Sequence, residues 1–185
     1  GVVDVALVPA SLVDDLLDFG RLERGLLPSV SRSSVDVMEW LDGVAARERA
    51  RCAAKGAALS LETEGALGRA SIDAPALERA IANLVDNALK HGEARSIRLR
   101  SRRESGAVLA IEVEDGGKGL GGGSVHEHLF EPFARGSASS GTDGAGLGLA
   151  LVREQSRRLG AQVTVGANPG GQGARFTFTM PVGSA

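Results

Sequence analysis

A chain of 185 residues, 43% apolar and 24% charged, is long enough to bury a full core in one domain of ordinary size, with or without a short appendage. Its formal net charge of −2 gives no bulk attraction to nucleic acid or acidic membranes, and its single cysteine, Cys52, excludes an intrachain disulfide framework and a cysteine-based zinc site. No apolar run is long enough to span a bilayer and no signal peptide is visible, so a cytoplasmic location is expected, possible also for the soluble part of a membrane-bound protein.

The first nine residues are mostly aliphatic and match no element. Residues 10–25 read as a helix, with Leu12, Leu16, Phe19 and Leu26 forming a stripe, Ser11 as a start and Gly25 as a stop. Pro28 and the serines at 29, 31, 33 and 34 read as a linker. A helix is then expected from Asp36 to about Ala54, and a strand over Ala57–Glu64. The next helix is expected from about Pro75, a good first-turn residue, to His91, with Gly92 as its stop. Strands Ser96–Arg102 and Val108–Glu114 form a hairpin through Arg103-Glu104-Ser105-Gly106. An irregular glycine-rich stretch spans Asp115 to Gly146, and a helix over 147–159 and strands over 161–166 and 174–180 complete the pattern.

The strands alternate. Ile97 and Leu99 are interleaved with Arg98, Arg100 and Arg102; Leu109, Ile111 and Val113 with Glu112 and Glu114; Phe176, Phe178 and Met180 with Arg175, Thr177 and Thr179. Period-two alternation puts one face in a core and the other in water. The expected architecture is therefore α+β, a two-layer sandwich with helices on one sheet face only. The outward arginines are expected to pair with glutamates across strands rather than to bind nucleic acid.

Four segments carry candidate chemistry. On the helix at 75–91, Asn83, Asn87 and Lys90 stand at i, i+4 and i+7 and share one stripe beside the apolar side. Such a stripe is either ordinary polar surface or a site in which amide oxygen ligates Mg²⁺ and lysine neutralises a phosphate. Asp115-Gly116-Gly117-Lys118-Gly119 follows a strand directly; it is either a simple turn or a carboxylate placed to accept a hydrogen bond from an amine, with glycines that let a flat ring lie against the chain. In Leu129-Phe130-Glu131-Pro132-Phe133-Ala134-Arg135-Gly136, both phenyl groups are expected to pin a mobile lid to the body, carrying Arg135 toward phosphates. Gly141-Thr142-Asp143-Gly144-Ala145-Gly146-Leu147-Gly148-Leu149 delivers the backbone into a helix N-terminus, where free N–H groups and the helix dipole favour an anion.

These segments, in this order, resemble the N box (Asn83 to His91), first glycine box (Asp115 to Gly119), F box (Leu129 to Gly136) and second glycine box (Gly144 to Leu149) of the catalytic and ATP-binding domain of sensor histidine kinases, in the GHKL ATPase superfamily. Gly173-Ala174-Arg175-Phe176 resembles the motif that closes that domain. The match covers about residues 34–182, implying a mixed sheet and a catalytic domain over 34–185. Residues 1–33 would hold the end of a dimerisation and phosphoacceptor domain plus linker, with Gly20 where a serine is commoner.

The resemblance also implies roles. Asp115 would read the adenine amino group, Asn87 would ligate Mg²⁺ with Asn83 close by, and Lys90 and Arg135 would contact phosphates. Gly144, Gly146, Leu147, Gly148 and Leu149 would offer backbone to the phosphates, with Gly117, Gly119 and Phe130 completing the nucleotide site. His91 either packs on adenine or stabilises the helix C-terminus. The implied activity is transfer of the ATP γ-phosphoryl group to a histidine, with a response regulator as partner and neither nucleic acid nor membrane contacted by this segment. The runner-up is a nucleotide-sensing module that transfers nothing. The family's acceptor histidine on a long helix has no counterpart here: His126 and His128 lie in the glycine-rich stretch expected to form the lid. An acceptor outside this chain is therefore expected, and the isolated chain is not expected to label itself.

Overall fold

The computed structural model describes residues 16, 17, 19–21, 24, 29–90, 93–104, 107–119, 127–134 and 146–182. Strand β1 (Ser33–Asp36) leads into helix α1 (Val37–Ala54), followed by strands β2 (Ala58–Glu64) and β3 (Arg69–Ile72). Helix α2 (Ala74–Lys90), the hairpin β4 (Ser96–Glu104) and β5 (Val108–Asp115), a 3₁₀ turn at Glu127–Phe130, helix α3 (Gly148–Leu159), β6 (Gln162–Ala167) and β7 (Ala174–Pro181) complete the order.

Five strands form a mixed sheet in the order β2-β4-β5-β7-β6, with β2 parallel to β4 and every other neighbour antiparallel. The expected strands are thus present, each shifted or extended by one or two residues. Two short strands were not expected: β1 and β3 pair antiparallel as a separate ribbon, Ser33 opposite Ile72 and Asp36 opposite Arg69. Ser33 and Ser34, read from sequence as linker, belong to this ribbon. Its four-residue strands are too short to display an alternation. Residues 16, 17 and 19–21 are helical, in line with a helix there, and Arg24 is in a turn; the other residues of that predicted helix, including its Gly25 stop, lie outside the described residues.

Local chemistry sets the helix ends. Asp36 caps α1 by accepting from the Glu39 N–H at 3.1 Å. Asp73 does the same for α2, its Oδ1 accepting from the Ala76 N–H at 3.1 Å while its backbone oxygen takes the Leu77 N–H. Gly160, in the left-handed region at φ 66°, ends α3. The inward residues of the sheet (Ile97, Leu99, Leu109, Ile111, Phe176, Phe178) meet Leu41 and Val44 of α1, Leu77, Ile81 and Leu84 of α2, and Val152 of α3 in one core. Each such side chain contributes about 1.5–3 kcal/mol when fully buried.

The other sheet face carries an arginine–glutamate lattice. Arg98 reaches Glu62 at 2.9 Å and Glu114 at 3.0 Å, Arg100 reaches Glu64 at 2.8 Å, and Arg175 reaches Glu114 at 2.9 Å. These are the cross-strand pairs expected from the alternation.

Candidate functional site

Helix α2 lays Leu77, Ala80, Ile81, Leu84, Val85 and Ala88 into the core. The same turn count leaves Asn83, Asn87 and Lys90 on the adjoining, half-buried stripe. Among the described residues neither asparagine amide makes a side-chain hydrogen bond, so both oxygens stand available to a hard cation. Lys90 Nζ lies 2.6 Å from Asp86 Oδ2, one turn back. Burial alone would push the Asp86 carboxyl up, but the hydrogen bond and charge of Lys90, joined by Lys55, outweigh it and hold that carboxyl below the usual range.

At the C-terminal end of β5, Asp115 is only 5% exposed. Burial raises its pKa, partly opposed by the backbone N–H groups of Gly117 and Ala174. Gly117 N–H donates to Asp115 Oδ1 at 2.9 Å. Among the described residues no cation pairs with Asp115; burying such a carboxylate is costly, and groups of this kind are a recurrent feature of functional sites.

The turn between β6 and β7 supports it. Asn168 Nδ2 donates to the Asp115 carbonyl at 2.8 Å, and a Cβ on Gly173 would lie 1.8 Å from that same oxygen. Gly119, at φ 79°, lies against Gly173 so closely that its own Cβ would be 3.4 Å from the Gly173 oxygen. Asn168 was missed by the sequence reading, although Asn168-Pro169-Gly170-Gly171 carries turn chemistry. Only the fold reveals that this turn closes over Asp115.

Two links gather the segments. Lys118 Nζ reaches Glu93 Oε1 at 2.6 Å, and Ala94 N–H donates to Ala88 O at 3.1 Å, which ties the glycine segment after β5 to the C-terminal end of α2. On the other side α2 packs on α3. Leu147, buried at the start of α3, makes no side-chain cap, so among the described residues the first N–H groups of that helix have no partner, and Gly148 has nothing within 4 Å of where a Cβ would be. Leu149 packs partly on the core. An uncapped helix start of this kind accepts phosphate or another anion.

The segment around Phe130 departs from expectation in one respect. Phe130 is buried, edge-on to Phe176 with ring centroids 6.3 Å apart and with the Arg153 guanidinium 5.9 Å from its ring centroid. Phe133, expected to bury as a second anchor, is instead 60% exposed and meets Phe19 of the N-terminal segment edge-on at 5.8 Å. Its N–H donates to Gly146 O at 3.0 Å, holding it at φ 64°, and that geometry turns its ring outward. The approach is tight: a Cβ on Gly146, itself at φ 68°, would lie 2.7 Å from Ala134 O. Of the two phenyl groups, Phe130 is the one buried against the core. His91, Arg135, Gly144 and His126 lie outside the described residues.

A polar cavity of about 490 Å³ opens at the same end of the sheet, lined by Ser60, Ser96, Arg98, Glu114, Asn168 and Gln172 among others. Asn83, Asn87 and Lys90 do not line it. Ser60, Arg98 and Glu114 point away from the helices, so the cavity opens on the lattice face, and it reaches Asp115 and Gly116 from there.

Comparison with known proteins agrees with the fold. Residues 72–184 match the family described as histidine kinase-, DNA gyrase B-, and HSP90-like ATPase. The alginate biosynthesis sensor protein KinB of Pseudomonas aeruginosa is 38% identical over 172 residues, covering 92% of this chain and 28% of KinB. The sensor-like histidine kinase SenX3 of Mycobacterium tuberculosis is 33% identical over 174 residues, covering 92% of this chain and 41% of SenX3. The chain thus spans well under half the length of these relatives. Full-length ShkA, solved in complex with AMPPNP, superposes with a TM-score of 0.76 at 32% identity, covering 95% of this chain and 36% of ShkA. Among the described residues no helix is long and apolar enough to cross a membrane. With a family match over residues 72–184 and a relative 38% identical over 92% of this chain, the chain belongs to the histidine kinase-, DNA gyrase B- and HSP90-like ATPase family, as a catalytic domain of the sensor histidine kinase kind.

Proposed function

We propose that this domain binds Mg²⁺-ATP and orients the γ-phosphoryl group for in-line attack by an imidazole nitrogen on a histidine outside the chain. The observation that supports the reading is the presence of three complementary elements in one domain. They are a buried carboxylate at the end of β5, an oxygen-and-ammonium stripe on α2, and an uncapped α3 N-terminus. Asp115 accepts from the purine amine. Gly117 holds that carboxylate and Gly119 keeps the adjoining backbone flat. Asn87, with Asn83 beside it, would hold Mg²⁺, which would supply positive charge to offset that of the phosphates. Lys90 and the open N–H groups at Gly148 and Leu149 neutralise the phosphate tail, with Gly144, Gly146 and Leu147 shaping the approach and Arg135 joining from the lid segment. Phe130 anchors that segment, and His91 completes the purine side. The protein supplies position and charge rather than covalent chemistry.

In the same reading residues 1–33 end a dimerisation and phosphoacceptor region, 34–185 form the catalytic domain, the product phosphohistidine serves a response regulator, and the domain works in the cytoplasm. Titration with ATP, with and without magnesium, tests the binding site. Incubation with γ-labelled ATP and a supplied acceptor helix tests transfer, with acid-labile label expected on the acceptor and none on this chain. Binding without any transfer would reassign the domain as a nucleotide sensor, and absence of binding in folded protein would overturn the site.

A further inference from the structure

Asp86 is a carboxylate set in the stripe that is meant to meet an anion. Positions 83, 86, 87 and 90 fall on one side of α2, so Asp86 sits between the asparagines and Lys90. Left uncompensated it would repel a triphosphate at this range. The structure compensates it from two directions. Oδ2 lies 2.6 Å from Lys90 Nζ. Oδ1 faces the end of α1, with Lys55 Nζ at 3.4 Å and Arg51 Nη2 at 3.7 Å. Arg51 is shared, since its Nη1 also lies 2.8 Å from Glu48 Oε2. Among the described residues Lys55 pairs with Asp86 alone, and it caps the C-terminus of α1.

We propose that Asp86 is an exchangeable counter-ion for Lys90: it parks the ammonium on the stripe while no phosphate is present, and Lys55 and Arg51 take over its charge when Lys90 turns to a phosphate. Asp86 and Lys55 are then positioning residues, and Lys55 acts without touching nucleotide. The inference rests on the reading of Lys90 as a phosphate contact and extends it to α1, which carries none of the motif segments. Without Lys55, transfer of Lys90 to the ligand leaves Asp86 less well matched, so Lys90 is held back.

The test is a double-mutant cycle read by calorimetric titration with two ligands, adenosine and Mg²⁺-ATP. Lys55→Met is expected to weaken Mg²⁺-ATP about 3- to 5-fold at low salt, the scale of a partly exposed ion pair, and to leave adenosine unchanged. In an Asp86→Asn background the same change is expected to alter Mg²⁺-ATP affinity by less than about twofold, because the charge to be offset is gone. Asp86→Glu, which still pairs with a lysine four residues on, is expected to restore the Lys55→Met penalty. Unchanged adenosine binding shows that each variant is folded and that the purine side is intact. An equal Lys55→Met penalty in both backgrounds, or none in either, overturns the charge exchange while leaving the nucleotide site standing. Failure of the parent protein to bind Mg²⁺-ATP, or full Mg²⁺-ATP affinity in Lys90→Met, overturns the phosphate reading itself.

Discussion

Gly173→Ala isolates the contact that shapes the carboxylate site. Gly173 sits at φ 105°, and an added Cβ would lie 1.8 Å from the Asp115 carbonyl oxygen and 2.8 Å from Asp115 Oδ1. Restoring an ordinary contact of about 3.4 Å needs a displacement above about 1.5 Å. Neither side yields freely: Asn168 N–H donates to Gly173 O at 3.1 Å, Asn168 Nδ2 to Asp115 O at 2.8 Å, and Asp115 ends a central strand. The backbone conformation costs an L-residue about 1–3 kcal/mol, and overpacking adds about 1–3 kcal/mol. The expected loss is about 2–5 kcal/mol, which for a chain of this size lowers Tm by roughly 5–15 °C. Gly171→Ala is the control. Gly171 is also at positive φ, 121°, but nothing lies within 4 Å of its Cβ position, so only the backbone penalty applies. Thermal and urea unfolding of both variants, followed by adenosine titration, read the difference. Equal losses of stability, or undiminished adenosine affinity in Gly173→Ala, would refute the claim that this glycine exists to let the β6–β7 turn close on Asp115.

The same region yields a paired expectation for Asp115→Asn. The N–H of Gly117 keeps an amide oxygen turned toward it, so the amide NH₂ faces the purine amine and adenosine affinity falls about 10- to 100-fold. In ligand-free protein the substitution acts in the opposite direction. Burial raises the native Asp115 pKa, so between its unfolded and native values the native state keeps a proton that the unfolded chain has lost, and stability falls as pH rises through that window. The stability of the Asn variant relative to parent is therefore expected to be greater at pH 7 than at pH 3.5, by urea titration; a pH-independent difference counts against it. Asn87→Ala is expected to reduce the dependence of ATP binding on magnesium while adenosine affinity stays within about twofold, the loss of one oxygen ligand. Equal magnesium dependence in variant and parent removes Asn87 from the metal seat. Arg32→Ala deletes the hydrogen bond from Arg32 Nη2 to Leu159 O, 2.7 Å, at the C-terminus of α3 and is expected to cost about 1 kcal/mol in urea unfolding; a change below about 0.3 kcal/mol would show that cap to be idle.

What the sequence disclosed, and what it withheld, follows from the range of the interactions concerned. Period-two alternation in β4, β5 and β7 exposed the two-layer design because one face of each strand is dry, and the stripe of Asn83, Asn87 and Lys90 was visible because it lies within one helix. Contacts made across the fold were not visible. That Asn168 and Gly173 close on Asp115 depends on β5 and β7 being neighbours, which no local pattern encodes. The ribbon of β1 and β3 hid in serines that equally suit a linker. Phe133 was expected to be buried because it is large and apolar, yet its backbone bond to Gly146 at positive φ turns it out toward Phe19. Asp86 passed unnoticed inside its own motif, since its meaning comes from the end of α1.

The lattice face invites a prediction in which the number of partners, not the presence of an ion pair, decides the cost. Glu114 and Glu112 are each 2% exposed although they lie on the side away from the helices, because guanidinium groups cover them. Glu114 has three: Arg98 at 3.0 Å, Arg175 at 2.9 Å and Arg100 at 3.6 Å. Glu112 is bound closely by Arg102, and its next cation is Arg175 at 3.9 Å. Its Oε2 has no hydrogen-bond partner among the described residues. Methionine keeps the apolar stem of an arginine and removes the charge, so packing is largely preserved. Arg98→Met leaves Glu114 two guanidinium groups and is expected to cost less than about 1 kcal/mol. Arg102→Met strands a buried carboxylate; the full penalty of a broken buried pair is about 3–5 kcal/mol, and the partial exposure of Arg102 lets water reduce it to about 1–3 kcal/mol. Adding Glu112→Leu to Arg102→Met removes the stranded charge and is expected to recover most of the loss. Urea unfolding of the four proteins settles the point. Equal costs for the two arginine variants, or a double variant no more stable than Arg102→Met, would mean that these acids are held by the sheet and not by their counter-ions.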